Sequence, residues 1–196
     1  MSFLDKILIN MPIRNKILAF NSLSLIVTIA AMLYFIVAAN KSIQEVSLQQ
    51  EILTNQDLVQ GIESRFSAVQ YWSLDLGVSW LNDSEDMIYE NADALRNLLE
   101  QLETVQPDLS ASLLSGLDQY IEVNLQAVDT YVDENRVKGN SLVSQGRQIG
   151  VEMQSNITGL LQQLQIEVGQ SNERVITANS NLIIAAIVSL ALIIVA

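Results

Sequence analysis

Between residues 50 and 170, apolar side chains recur at steps of three and four rather than alternating, which is the period of a helix with one buried face. Four stripes can be traced. Ile52, Val59, Ile62, Phe66, Val69, Trp72 and Leu76 form the first, and Ile88, Ala92, Leu95, Leu99 and Leu102 the second. Leu117, Ile121, Leu125, Val128 and Val132 form the third; Leu142, Ile149, Met153, Ile157, Leu160, Leu164 and Val168 form the fourth. Proline occurs only at Pro12 and Pro107, so long helices are permitted almost throughout.

The breaks between stripes carry turn and cap signals. Asn82-Asp83-Ser84-Glu85 places Glu three residues after a cap residue, the capping-box pattern. Gln106-Pro107-Asp108 ends one helix and starts another, because proline fits a helix's first turn. The last break falls within residues 133–140. Turns at Gly146 or Gly150 would leave the outer helices unequal in length. With the break at 133–140, a first helix over about 41–81 matches a last over about 138–178, each about 60 Å long. The middle pair, about 85–105 and 108–133, is roughly half as long. The pattern predicts an all-α, up-down-up-down four-helix bundle with four helices in its outer half and two in its inner half.

Two stretches without a charged side chain bracket this region, about Ile17–Ala39 and Asn181–Ala196. A bilayer core is crossed by roughly 20 apolar residues in a helix. The expected plan is a cytoplasmic segment at 1–16, a transmembrane helix at 17–39, a bundle at 40–179 and a second transmembrane helix at 180–196. The long first and last helices run on into the two spans. A signal peptide is the rival for residues 1–39, but its apolar core would be shorter and Val37-Ala38-Ala39 is a loose match to a cleavage site. The second span ends without a Lys/Arg anchor, which suggests the front portion of a longer protein.

Charge orients this plan. The formal net charge is −12, yet residues 1–40 hold Lys6, Arg14 and Lys16 against Asp5. Residues 41–178 hold 21 acids and 7 bases. Basic residues ahead of a first span mark the cytoplasmic side, which puts the bundle outside, in the periplasm of a bacterial inner membrane. So acidic a domain repels nucleic acid. There is no cysteine and no histidine, which removes thiolate chemistry, disulfides and the commonest general base and metal ligand. No spacing singles out a catalytic carboxylate pair, so an enzyme is not expected, and no cofactor. Two helices exposed in the inner half cannot bury their stripes alone; a homodimer would supply two more.

The arrangement resembles the methyl-accepting chemotaxis proteins, bacterial chemoreceptors with a four-helix-bundle sensor. Met11-Pro12-Ile13-Arg14-Asn15-Lys16-Ile17 is similar to the short basic lead-in of these receptors. Tyr71-Trp72-Ser73-Leu74-Asp75-Leu76 and Asn135-Arg136-Val137-Lys138-Gly139-Asn140-Ser141-Leu142 resemble segments in a subgroup of them. The resemblance implies a chemotaxis transducer that reaches the kinase CheA and the adaptor CheW through a cytoplasmic part this chain lacks. The same plan also serves histidine kinases and diguanylate cyclases, and a ligand-free structural hairpin is a third reading.

With the turns so placed, Arg147 falls at the level of Tyr71 and Trp72, with Arg96 and Glu122 at a similar height. A guanidinium forks onto carboxylates, and aromatic rings supply apolar walls. Tyr71, Trp72, Asp75 and Arg147 are therefore the candidate pocket for a small organic anion or zwitterion, unless a periplasmic binding protein carries the signal. Arg65 is a candidate for a site at a dimer interface. The plainer readings are core packing for Trp72, a surface ion pair for Asp75 and Arg147, and helix capping for Asn135, Arg136 and Asn140. Asp83, Glu85, Asp86 and Glu90 would suit a cation, but acids at a helix start also answer its dipole.

Overall fold

The structure, a computed structural model, describes residues 12–195. Of the basic lead-in, Lys6 and Met11 lie outside the described residues. Among those described there are four helices and no strand: α1 (Ile13–Ser79), α2 (Asn82–Glu103), α3 (Pro107–Val132) and α4 (Arg136–Val195). The three turns fall where the stripes break, and the last lies within 133–140 as expected. Pro107 opens α3, where its missing N–H has no helical partner to lose. The turn into α4 is fastened by Asn135, whose Oδ1 accepts from the Lys138 backbone N–H at 3.2 Å, as a cap residue should.

The chain forms two compact units: the segments up to Gln50 and from Gly169 onward make one, and Glu51–Val168 the other.

The 51–168 unit is the four-helix bundle, held by one apolar core. Phe66 and Val69 of α1, Leu95 and Leu99 of α2, Leu117 of α3 and Ile157 of α4 are buried. Burying a side chain of this size contributes about 1.5–3 kcal/mol each, so the stripes are the main source of cohesion. Phe66 meets Tyr120 edge-on, with ring centroids 5.7 Å apart. The third stripe is rotated from expectation. Val132 is exposed, while Leu113, Tyr120 and Ala127 are buried in its place. Three glycines explain how α3 lies so close to α4. A Cβ at Gly139 would come within 2.8 Å of Tyr131, one at Gly146 within 2.9 Å of Asn124 and one at Gly150 within 3.0 Å of Tyr120.

The capping box at Asn82-Glu85 does not form. Leu81 is the residue before α2, and no side chain caps it. Ser84, expected inside the cap, is buried and donates to Asp75 Oδ2 at 2.5 Å. Ser79 Oγ donates to the same oxygen at 3.2 Å and accepts from the Leu81 N–H at 3.3 Å. A hydroxyl–carboxylate cluster thus ties the end of α1 to the first turn of α2.

In the other unit, two helix segments meet through small residues. Ala31, Ala178 and Ala185 are buried. Ser189 donates to the Ala31 carbonyl at 3.0 Å, and Ser42 to Asn179 Oδ1 at 2.6 Å. Small side chains with hydroxyl bonds across the contact are how helices pack when apolar surroundings offer no hydrophobic drive. Leu25, Ile26, Ile183 and Ile187 point outward. Both long helices are long and apolar enough to cross a membrane.

Candidate functional site

The five residues singled out from the sequence do not gather in one cavity. Tyr71 is exposed and stacks edge-on against Trp72, with ring centroids 5.0 Å apart. Trp72 is half-buried against the core. Asp75 is turned toward α2 and held by Ser79 and Ser84. Arg65 donates to Asn91 Oδ1 on α2 at 3.1 Å. Arg147 is exposed on α4 and lines a cavity with Gln70, Leu74, Tyr120 and Asn124. The level expected for Arg147 is right, since residues 70 and 74 flank Tyr71 and Trp72. The direction is not. Successive residues turn by about 100° around a helix, so Gln70 and Leu74 face Arg147 while Trp72 and Asp75 face elsewhere. Arg147 and Asp75 form no ion pair.

What surrounds Arg147 is a groove between α1, α3 and α4. Its inner part is a cavity of about 330 Å³. Its outer part, of about 640 Å³, is lined among others by Trp80, Tyr131, Arg136 and Asn140. The two share Leu74, Asn124 and Val143. Each helix contributes one narrow stripe. On α4, Arg136, Asn140, Val143, Arg147 and Gln154 follow at steps of four, three, four and seven, all on one side. On α3 the corresponding run is Tyr120, Asn124, Ala127 and Tyr131, and on α1 it is Gln70, Ser73, Leu74 and Gly77. These runs sit beside the apolar stripes, and only their shared helical period announces them. Sequence reading had assigned Arg136 and Asn140 to the turn and passed over Tyr120, Asn124, Tyr131 and Trp80.

The groove's polar groups are set by short bonds. Tyr131 donates its hydroxyl to Asn140 Oδ1 at 2.6 Å, which leaves the Asn140 amide protons for other acceptors. Asn124 Nδ2 donates to the Tyr120 carbonyl at 2.7 Å. Gln154, at the inner end, donates to Glu63 at 3.2 Å. Burial pushes the Tyr120 hydroxyl above its ordinary pKa, with the neighbouring Ser73 hydroxyl acting the other way, so the phenol stays neutral and able to donate. No carboxylate lines either cavity. Arg96 differs: Asp118 and Asp93 bind it at 2.8 and 2.7 Å, and these carboxylates, against a smaller cost of burial, raise its pKa. Glu122 accepts instead from Gln126. Among the described residues, no three carboxylates converge as a metal site would require.

Trp80 adds strain at the outer rim. Its φ is 56°, a left-handed conformation that usually falls to glycine at a helix end. Its N–H closes the last turn of α1 on the Leu76 carbonyl at 3.0 Å, and its ring stands largely exposed beside the groove.

No family model matches the chain, and no curated protein matches it either. Among solved structures, a chain of the XylFII-LytSN complex superposes with a TM-score of 0.52 at 13% identity, covering 58% of this chain and 97% of that one. So low an identity supports a shared helical-bundle fold and nothing about ligand or partner.

Proposed function

We propose that this chain is the sensing half of a transmembrane receptor, with the 51–168 bundle in the bacterial periplasm and the apolar pair in the inner membrane. It senses a chemical signal and relays it by displacement of one long helix against the other. The observation that carries this reading is that α1 and α4 each supply both an apolar, membrane-length stretch and a wall of the bundle. A ligand that prefers one arrangement of the bundle shifts the population toward it. Shifts of about 1–2 Å between packed helices serve as switches where the packing has two stable forms. The segment performs no chemistry itself. It works as a homodimer and its output is chemotaxis, a choice supported by the resemblance at Tyr71–Leu76 and Asn135–Leu142.

The test joins residues 1–196 to the kinase-controlling half of a chemoreceptor in cells that lack their own. The chain has no cysteine, so Val78→Cys, at an exposed site, reports sidedness by labelling with an impermeant maleimide. Labelling of intact spheroplasts, together with a kinase output that moves on adding small organic acids or amino acids, is the expected result. A correctly inserted chimera with an output indifferent to every compound tried sinks the receptor reading.

A further inference from the structure

The groove between α1, α3 and α4 has a chemistry the rest of the bundle does not share. Residues 51–168 carry 19 acids and only 5 bases, yet two of those bases, Arg136 and Arg147, line the groove and no acid does. Neither guanidinium has a carboxylate within ion-pair distance among the described residues, whereas Arg96 in the same bundle has two; Arg65, also without a carboxylate, is instead held by Asn91. In so acidic a domain, two cations kept clear of carboxylates are a prepared place for an anion.

Their spacing says more. Eleven residues separate them on α4, close to three full helical turns, so both project on one side, with about 16 Å between their Cα atoms. Val143 and Leu74 lie between them on facing helices, with Asn124 at the waist common to both cavities. Tyr120 walls the inner end, and Trp80 and Tyr131 the outer. An apolar middle with a bidentate donor at each end matches a molecule of the opposite design.

We propose that this groove binds an elongated organic dianion, a dicarboxylate with an apolar body, one carboxylate on Arg147 and the other on Arg136 with help from the Asn140 amide. The proposal rests on the receptor reading and names the ligand class for it. Binding draws α4 toward α1 and α3 along the stretch where Gly139, Gly146 and Gly150 already allow close approach.

The experiment uses the full chain in detergent or nanodiscs, with adipate and suberate as probes and hexanoate as the single-carboxylate control. Calorimetry and thermal shift are read on the wild type, Arg136→Ala and Arg147→Ala. Both arginines sit on the surface and outside the core, and circular dichroism verifies that each variant is folded. The expected result is binding of a diacid at least about tenfold tighter than hexanoate, with each single variant losing about tenfold for the diacid. Equal binding of diacid and monoacid, variants that bind like the wild type, or no binding of any probe overturns the site. These outcomes are separable from failure of the receptor reading. If the chimera responds to a compound whose effect survives Arg147→Ala, the receptor stands and the groove falls. If the purified chain binds suberate and the chimera stays silent, the groove stands and the receptor reading falls.

Discussion

Asp75 is the residue whose role changed most between pattern and structure, and removing it separates a structural from a ligand-binding function. Its carboxylate accepts from Ser84 at 2.5 Å and from Ser79 at 3.2 Å. Ser84 is 1% exposed, so in Asp75→Ala its hydroxyl keeps only the weak 3.4 Å contact with Ser79. A hydrogen bond to a charged group contributes about 1.5–3 kcal/mol. Asp75 is itself only half-buried, which favours the lower part of that range, about 1.5–2 kcal/mol. Asp75→Asn keeps an acceptor oxygen without the charge and should lose about half as much. For a chain of this length that corresponds to roughly 3–8 °C in Tm for Asp75→Ala. The assay is a double-mutant cycle with Ser84→Ala, followed by thermal unfolding of the full chain in detergent. The expected coupling is about 1–2 kcal/mol, with diacid affinity unchanged in Asp75→Ala. Additive losses from the two substitutions would refute the cluster at the α1–α2 turn. A lost ligand response without a stability loss would restore Asp75 to the binding site.

Three further outcomes are expected. Phe66→Ala, at a fully buried position, should cost about 3–5 kcal/mol by denaturant unfolding, whereas Tyr71→Ala, 60% exposed, should stay within about 0.5 kcal/mol of wild type. Trp80→Gly relieves a left-handed residue and should leave stability unchanged or raise it by about 1 kcal/mol, while isothermal titration shows weaker diacid binding through loss of the groove wall. The Tyr120 hydroxyl has a raised pKa in the folded state, so it binds its proton more tightly folded than unfolded. Its contribution is fully present below the ordinary value of 10.0 and is lost as pH rises through the folded pKa. Stability measured from neutral pH upward should therefore fall in the wild type beyond pH 10, and Tyr120→Phe should flatten that decline.

Much of the fold was legible in the pattern because helices and turns are local. The second stripe, Ile88 to Leu102, is buried at all five positions, and Pro107 opened its helix as proline must when it lacks an N–H. The capping box was misread because the helix already begins at Asn82, one residue too early for Asn82 to cap it, and the turn is held instead by Asp75, nine residues before Ser84 and on another helix. Val132 was misread because the third stripe was continued in register to the helix end, where Tyr131 instead meets Gly139 of α4 and Val132 is left exposed. The glycines at 139, 146 and 150 were weighed only as turns. Their use, admitting Tyr131, Asn124 and Tyr120, becomes visible once α3 lies against α4.

The candidate pocket divides along the same line. Helical period and turn position are properties of the chain, so the sequence by itself determined four helices, where the turns fall, the buried face of the second helix and the height of Arg147 beside Tyr71 and Trp72. Two apolar stretches and the charge asymmetry around them were equally plain. Which way each helix is rotated, and which neighbours it meets on each side, depends on burying all four stripes at once. That was decided only in the tertiary structure. It turned Trp72 and Asp75 away from Arg147 and set Gln70, Asn124 and Arg136 around the same groove.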